Sequence, residues 1–365
     1  MTHSKRFYSS SSIEIISGID VLDLHQKDHY ATGYAMGKLF IETENGFIAF
    51  LKNPFIKVIL SILFVFKKRR MAEIRVPKQY TEELRGLSDA TGIAYHHLLL
   101  VNLIYEIRGC SGFMFFNKNN ELIVGHNTDT GTILARFLLK QTRPLVINVS
   151  LPNKNTFVHV SLPGFFGAIN GFNDKGIALS SHDVGGLRSK VVPGNISASC
   201  LLRMILEEAK DLGDIGKITH ENLSYTPGIY LIASDREKRV VIVELHPSEA
   251  NIVVLNQKFA FVANHYMSSH MQKYHRDIKK GSLQRIECLK ECFSTVHVET
   301  VEQAITILQD HRNGTQRDTT GHSIANEGTF QSFVLAVTNQ KIFISNGRKT
   351  PVPLHGTYIR NKFIL

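Results

Sequence analysis

The chain has 365 residues, 43% of them apolar, which is enough for a large core and excludes both a small disulfide-stapled scaffold and a disordered tail. Its 42 Lys and Arg outnumber 32 Asp and Glu for a net charge of +10, yet eight basic residues and one acid fall between Lys52 and Lys78, so seven of those ten charges sit there. No zinc-finger spacing, RRM signature or basic-zipper pattern spreads Lys and Arg over a binding face, so nucleic acid is not an expected partner.

The N-terminus, Met1 to Asp20, has a polar run from Ser9 to Ser12 and no apolar signal-peptide core, so a cytoplasmic or membrane-peripheral location is expected. His29 to Phe40 reads as a helix in which Gly33 and Gly37, one turn apart, let another element approach closely. From Phe55 to Phe66 only Lys57 and Ser61 are polar, and Lys67, Lys68, Arg69 and Arg70 follow. As a helix this stretch would be about 18 Å long, too short for a hydrocarbon core of about 30 Å. Two readings stay open for it: a helix lying against an anionic membrane surface, or a buried helix or strand with a solvated basic loop after it. Thr81 is a candidate N-cap for a helix to Ala90, with Glu82 and Glu83 in its first turn, and a second helix is predicted over Tyr95 to Ile107.

Beyond residue 110 the pattern changes to short β-branched and aromatic runs between turn signals. Strands are predicted at Gly112 to Phe116, Glu121 to Gly125, Leu145 to Val149, Thr156 to Leu162 and Gly176 to Ser180, then a helix from Ser197 to Lys210. Further strands follow at Gly228 to Ala233, Val240 to Leu245, Asn251 to Leu255 and Phe259 to Ala263. Helices at Arg285 to Phe293 and Val301 to Gln309 precede closing strands at Ser332 to Val337 and Lys341 to Ser345. The class is α+β, divided into a helical segment 1–109 carrying the insert 52–78, and a strand-rich domain 110–365.

Four cysteines, Cys110, Cys200, Cys288 and Cys292, are too few for a disulfide framework in so long a chain. His96-His97, and His270 with His275, lack metal-ligand spacing, and there is no phosphate-binding glycine loop, so no metal or cofactor is expected. The chemistry-bearing stretch is Arg108-Gly109-Cys110-Ser111-Gly112, followed by Gly125-His126-Asn127-Thr128-Asp129. Two strands joined by a turn there can bring Asp129 beside Cys110.

These motifs, with the HxxxGYxxG-like stretch ending at Gly37, the segment Glu83 to Ile93, the run Gly171 to Gly176, Val262-Ala263-Asn264-His265 and the Ser282 to Arg285 element, occur in an order that resembles one family. It is the acyl-coenzyme A:6-aminopenicillanic-acid acyltransferase family of N-terminal nucleophile hydrolases, related to bile-salt hydrolase and acid ceramidase. The resemblance implies a four-layer αββα sandwich and self-cleavage between Gly109 and Cys110. The freed α-amine of Cys110, with a reference pKa of about 7.7 to 8.0, would then serve as base for its own thiol. It further implies that Asp129 binds this terminus, that Asn264 contributes to an oxyanion hole, and that Arg285 supports the site or binds substrate. His126, Asn127 and His182 are candidate substrate contacts. The sequence departs from its relatives at His126, where they carry Arg, and near Ser180-Ser181-His182-Asp183, where they often supply an Asn to the oxyanion hole. A backbone N–H or His182 remains as the replacement. The expected substrate is a small N-acyl or acyl-thioester molecule, lipid-like in view of the apolar insert, with amide hydrolysis favoured over acyl transfer. A non-catalytic, membrane-associated protein keeping the fold is the alternative from another class.

Overall fold

In the computed structural model, which describes residues 5–104, 109–130, 143–185, 192–275, 277–295, 298–312, 321–363 and 365, the strands form two sheets. Ten pair in the order β1 (Lys5–Tyr8), β2 (Ser11–Ile16), β3 (Ile19–His25), β6 (Leu145–Ser150), β7 (Phe157–Ser161), β8 (Asn170–Asn173), β9 (Ile177–Asp183), β10 (Gly228–Ser234), β11 (Arg239–His246) and β12 (Glu249–Val254). Six pair in the order β13 (Phe259–Val262), β4 (Cys110–Phe116), β5 (Leu122–Asp129), β14 (Thr329–Ala336), β15 (Lys341–Ser345) and β16 (Tyr358–Lys362). All neighbours are antiparallel except β3 and β6, which run parallel.

The period of two along each strand sorts apolar side chains into three cores. Leu22 and Leu24 of β3 face one core with Leu84 and Leu201, while Ile19 and Val21 face another with Met114, Val124 and Phe333 of the opposite sheet. On β4 the split repeats: Met114 and Phe116 look between the sheets, and Phe113 and Phe115 look outward onto Leu289 and Leu308. Helices α1 (His29–Glu42), α2 (Gly46–Lys52), α3 (Pro54–Ala72), α4 (Lys78–Thr91), α5 (Tyr95–Ile104), α6 (Ala198–Glu208) and α7 (Leu212–Glu221) cover the ten-stranded sheet. The short α8 (Ser269–Gln272) adds Met271 to the core between the sheets, and α9 (Lys280–Thr295) and α10 (Val301–Leu308) cover the six-stranded sheet. Helix, sheet, sheet, helix is the αββα layering implied by the resemblance.

The segment before residue 110 is helical only from His29 onward; its first described residues are β1, β2 and β3. The polar Ser run hides them: Ser9 makes the turn at φ +53°, and Ser11 and Ser12 are buried in β2. Asp20 also masks β3, yet it is fully buried and accepts hydrogen bonds from Arg143 Nε (2.5 Å) and Asn45 Nδ2 (3.2 Å).

Gly33 and Gly37 do admit a neighbour, which is α4: a Cβ on Gly33 would lie 1.8 Å from the Glu83 carbonyl oxygen, and one on Gly86 would lie 2.0 Å from that of Tyr30. Thr81 is not the N-cap of α4. The helix starts at Lys78 behind Pro77, and the Thr81 hydroxyl donates to the Lys78 carbonyl from inside the first turn. Of the helix predicted over Tyr95 to Ile107, the part beyond Ile104 lies outside the described residues, as does Arg108.

The apolar insert is a helix, α3, set at 73° to α2. Asn53 makes the corner, its Oδ1 accepting from the N–H groups of Phe55 (2.9 Å) and Ile56 (3.4 Å) at the open end of α3. One face packs through Ile56, Leu60, Leu63 and Phe64 on the core, and Ser61 meets His97 of α5 at 3.0 Å. The other face leaves Val58, Ile62 and Val65 exposed, with Phe55 at 72% and Phe66 at 79% exposure. Among the described residues no single helix is long and apolar enough to cross a membrane.

Candidate active site

Cys110 opens β4 on the same face as Gly112, Met114 and Phe116, so it looks between the sheets. Its side chain is buried and lines a cleft of about 100 Å³ that opens to solvent. Ile74, Leu103, Phe165 and Ile169 make apolar wall there, and His182 and Asp183 at the end of β9 make polar wall.

Register brings the neighbours in. Cys110 stands opposite Thr128 on β5, which puts Gly109 beside Asp129. The Asp129 backbone N–H donates to the Gly109 carbonyl at 2.8 Å. Gly109 has φ +100°, and a Cβ there would lie 3.2 Å from the Cβ of Asp129, so both backbone and space call for glycine. On the other side of the same peptide bond the Cys110 N–H donates to Asn264 Oδ1 at 2.9 Å. The Gly109–Cys110 peptide is gripped at both ends.

The gripping residues are themselves held. Asn264 Oδ1 also accepts from Arg285 Nη2 at 2.5 Å, while Asn264 Nδ2 donates to the Asp183 carbonyl at 2.8 Å. Two donors on one side and an acceptor on the other fix the orientation of this amide. Ser282 lies one turn before Arg285 on α9, and its hydroxyl accepts from the Asn264 backbone N–H at 2.7 Å. Arg285 also donates to the Gly321 carbonyl. The Asp129 carboxylate accepts from Asn326 Nδ2 (3.0 Å) and Thr329 Oγ1 (2.6 Å). Burial, with the Asp129 charge adding to it, pushes the Cys110 thiol well above its usual range, although Arg285 opposes the shift. The thiol is therefore protonated at neutral pH.

Gly109, Cys110, Asp129, Asn264 and Arg285 thus meet at one point. His182 shares the cleft with Cys110, whereas His126 lies behind it, its ring centroid 4.9 Å from that of His182 and Ser180 hydrogen-bonded to both. Asn127 is not brought to the cleft: it follows the opposite parity on β5, donates to the carbonyls of Leu308 (2.8 Å) and Ile324 (3.0 Å), and accepts from Ser332 Oγ (2.6 Å). That side chain ties β5 to the outer helical layer. Sequence does not single out Asn326, Thr329 or Asp183, and no spacing links them to Cys110. Ser282 stands in the Ser282 to Arg285 element, and its i, i+3 relation to Arg285 is the signal that points to it.

The family model for acyl-coenzyme A:6-aminopenicillanic acid acyl-transferase matches residues 115–349, a span that begins just past Cys110 and contains Asp129, Asn264 and Arg285. The chain is 28% identical to acid ceramidase of Mus musculus over 118 residues, which are 30% of this chain and 30% of that protein. The chain therefore spans under a third of the length of the curated relative it matches. Among solved structures, penicillin V acylase of Agrobacterium tumefaciens superposes with a TM-score of 0.45 at 12% identity, covering 65% of this chain and 83% of that one. A single-residue variant of conjugated bile acid hydrolase from Clostridium perfringens gives 0.46 at 10% identity, covering 65% and 89%. With the family model matched over more than half of its length, the chain belongs to the acyl-coenzyme A:6-aminopenicillanic acid acyl-transferase family.

Proposed function

We propose that the chain cuts itself between Gly109 and Cys110 and that the freed Cys110 hydrolyses the amide bond of a small, lipid-like N-acyl substrate. The supporting observation is the grip on the Gly109–Cys110 peptide, with the carbonyl oxygen on the Asp129 N–H and the amide N–H on Asn264. Attack of the Cys110 sulfur on the Gly109 carbonyl carbon draws charge onto an oxygen that already has a donor. The C–N bond breaks, the nitrogen takes the thiol proton, and water cleaves the resulting thioester to leave a Gly109 carboxylate and a free Cys110 amine and thiol. That amine accepts the thiol proton in the next cycle, when the sulfur attacks the substrate acyl carbon. The leaving amine takes the proton back, and water releases the acyl group as a carboxylate.

The apolar wall of Ile74, Leu103, Phe165 and Ile169 suits an acyl chain. The match to an enzyme named acid ceramidase supports the same substrate class. The family description names an acyl-transferase, so transfer to an amine in place of water is the second reading. An added amine nucleophile that diverts product from acid to amide would favour it. We also propose a location peripheral to a membrane, supported by the exposed apolar face of α3 beside exposed Lys57 and Lys67. Each basic residue near an anionic surface contributes about 1 kcal/mol. Flotation with phosphatidylserine vesicles, lost when Phe55 and Phe66 become Ser and when Lys67 to Arg70 become Glu, is the expected result; equal binding by all three proteins removes this location.

Intact mass tests the main proposal. The wild type should run as residues 1–109 and 110–365, and Cys110→Ala should stay whole. A wild type that stays whole under every condition would leave a non-catalytic protein with the fold.

A further inference from the structure

Three buried side chains cross the space between the sheets behind Cys110. His126 Nδ1 of β5 lies 2.7 Å from Ser180 Oγ of β9, and that hydroxyl lies 3.1 Å from His182 Nε2. Gly112, on the same face of β4 as Cys110, makes the room: a Cβ there would stand 2.6 Å from His182 Cε1. His182 is fully buried, its other ring nitrogen, Nδ1, has no hydrogen-bond partner among the described residues, and the residue lines the cleft with Cys110. Burying a polar atom without a partner forfeits its hydration and returns nothing, so the unpartnered Nδ1 of a residue that lines the cleft with a nucleophile calls for a ligand atom.

Burial holds both rings neutral. The His126 imidazole is down to about 3, and His182 is well below its usual value, with His126 and Arg285 adding to burial. A neutral imidazole has one N–H and one acceptor nitrogen, and a hydroxyl has one proton to give. Ser180 therefore donates to one ring and accepts from the other. When the order runs from His126 Nδ1–H to Ser180 to His182 Nε2, the proton of His182 sits on Nδ1. The reverse order would leave a lone pair on Nδ1, which repels an acyl oxygen as it gains negative charge.

We propose, on the reading that Cys110 attacks an acyl carbonyl, that His182 donates its Nδ1–H to the oxygen of that carbonyl, with Ser180 and His126 as positioning residues that hold this tautomer. Asn264 supplies the other donor: one N–H of its Nδ2 is taken by the Asp183 carbonyl and the second is left for the substrate. As the S–C bond forms, the carbonyl π pair moves onto oxygen between these two N–H groups. It returns when the C–N bond breaks and the leaving amine takes the proton held by the Cys110 amine.

The direct test is the tautomer of His182 in the wild-type chain labelled with isotopic histidine, read by long-range nitrogen–proton NMR correlation. The Nδ1–H form is expected, with loss of that uniform state in Ser180→Ala; an Nε2–H form in the wild type overturns the proposal. The kinetic test uses an N-decanoyl aminomethylcoumarin as probe and iodoacetamide as a label for Cys110. His182→Leu should keep self-cleavage and Cys110 alkylation while kcat falls about 100- to 1000-fold with KM nearly unchanged, and His182→Gln, which keeps an N–H donor, should recover part of the loss. Undiminished kcat in His182→Leu overturns the proposal. A wild type in which Cys110 resists alkylation and the probe is not turned over removes the underlying reading instead, and the NMR result still decides the tautomer.

Discussion

At Gly109 a backbone torsion and a side-chain contact make the same demand. An L-residue held at φ +100° loses roughly 1–2 kcal/mol, and its Cβ would press on Asp129 at 3.2 Å. Gly109→Ala is accordingly expected to slow self-cleavage at least tenfold while the chain stays folded, read as the rate at which intact mass gives way to two fragments. An unchanged rate would mean that the grip on this peptide does not set the chemistry. Histidines make a second argument at this scale. Burial lowers His126 to about 3, and burial with the nearby Arg203 charge lowers His159 to about 3. The unfolded chain takes up these protons near pH 6.5 and the folded chain resists until about pH 3, so stability rises with pH across that window and is lost as pH falls through it. Each histidine contributes up to about 1.4 kcal/mol per pH unit. Denaturant midpoints measured from pH 7 down to pH 4 should fall, and His159→Phe should fall less steeply. That Cys110 and Asp129 lie near each other is legible from sequence because a strand, a turn and a strand keep them close along the chain. Asn326 and Thr329 are not, since they reach Asp129 from about 200 residues away through the β5–β14 pairing.

The crossing of α1 and α4 is a close helix contact on the ten-stranded sheet. Gly33 and Gly86 seat each helix backbone on the other, and Glu83 turns from this crossing toward Arg203 of α6 at 3.0 Å. Arg203 is 1% exposed and also meets Glu207 at 2.6 Å and the Phe166 carbonyl at 2.6 Å, while His29 lies 3.0 Å from Glu83. Burial alone would raise the Glu83 carboxyl, but Arg203 and His29 outweigh it and keep the group ionised. Gly33→Ala has no soft side chain to push aside, only the Glu83 carbonyl, and should cost at least about 3 kcal/mol in denaturant unfolding. Arg203→Met should cost a similar amount, about 3–5 kcal/mol, because two carboxylates are left buried without their cation. Either variant unfolding at the wild-type midpoint would show that the crossing carries little stability. The spacing of Gly33 and Gly37 announces a close neighbour; that α4 fills it is seen only in the fold, where Gly86 gives the matching room for α1. The three N-terminal strands are hidden for a related reason, as buried Ser and Asp side chains interrupt the apolar alternation and find their partners only in the folded sheet.

Across the whole molecule the proposed cut does not fall between two separable bodies. Residues before it supply β1, β2 and β3 of the larger sheet, and Tyr80 and Glu83 of the buried cluster around Arg203. The two products are therefore expected to co-elute as one particle in size-exclusion chromatography and to part only in denaturant. Separation of the fragments under native conditions would contradict the interleaving of the sheets and helices described above. The same arrangement explains why a division at residue 109 reads well along the chain and poorly in space: composition changes there, but hydrogen bonding does not.

The parallel pair of β3 and β6 carries one more consequence. The backbone of β6 on that side is paired with a strand from upstream of residue 109. A chain beginning at Cys110 would present Leu145, Val146, Ile147, Asn148, Val149 and Ser150 as an uncharged, β-branched open border, a template on which other copies can stack. Production of residues 110–365 alone should therefore yield aggregates that a co-expressed 1–109, supplying β3, prevents.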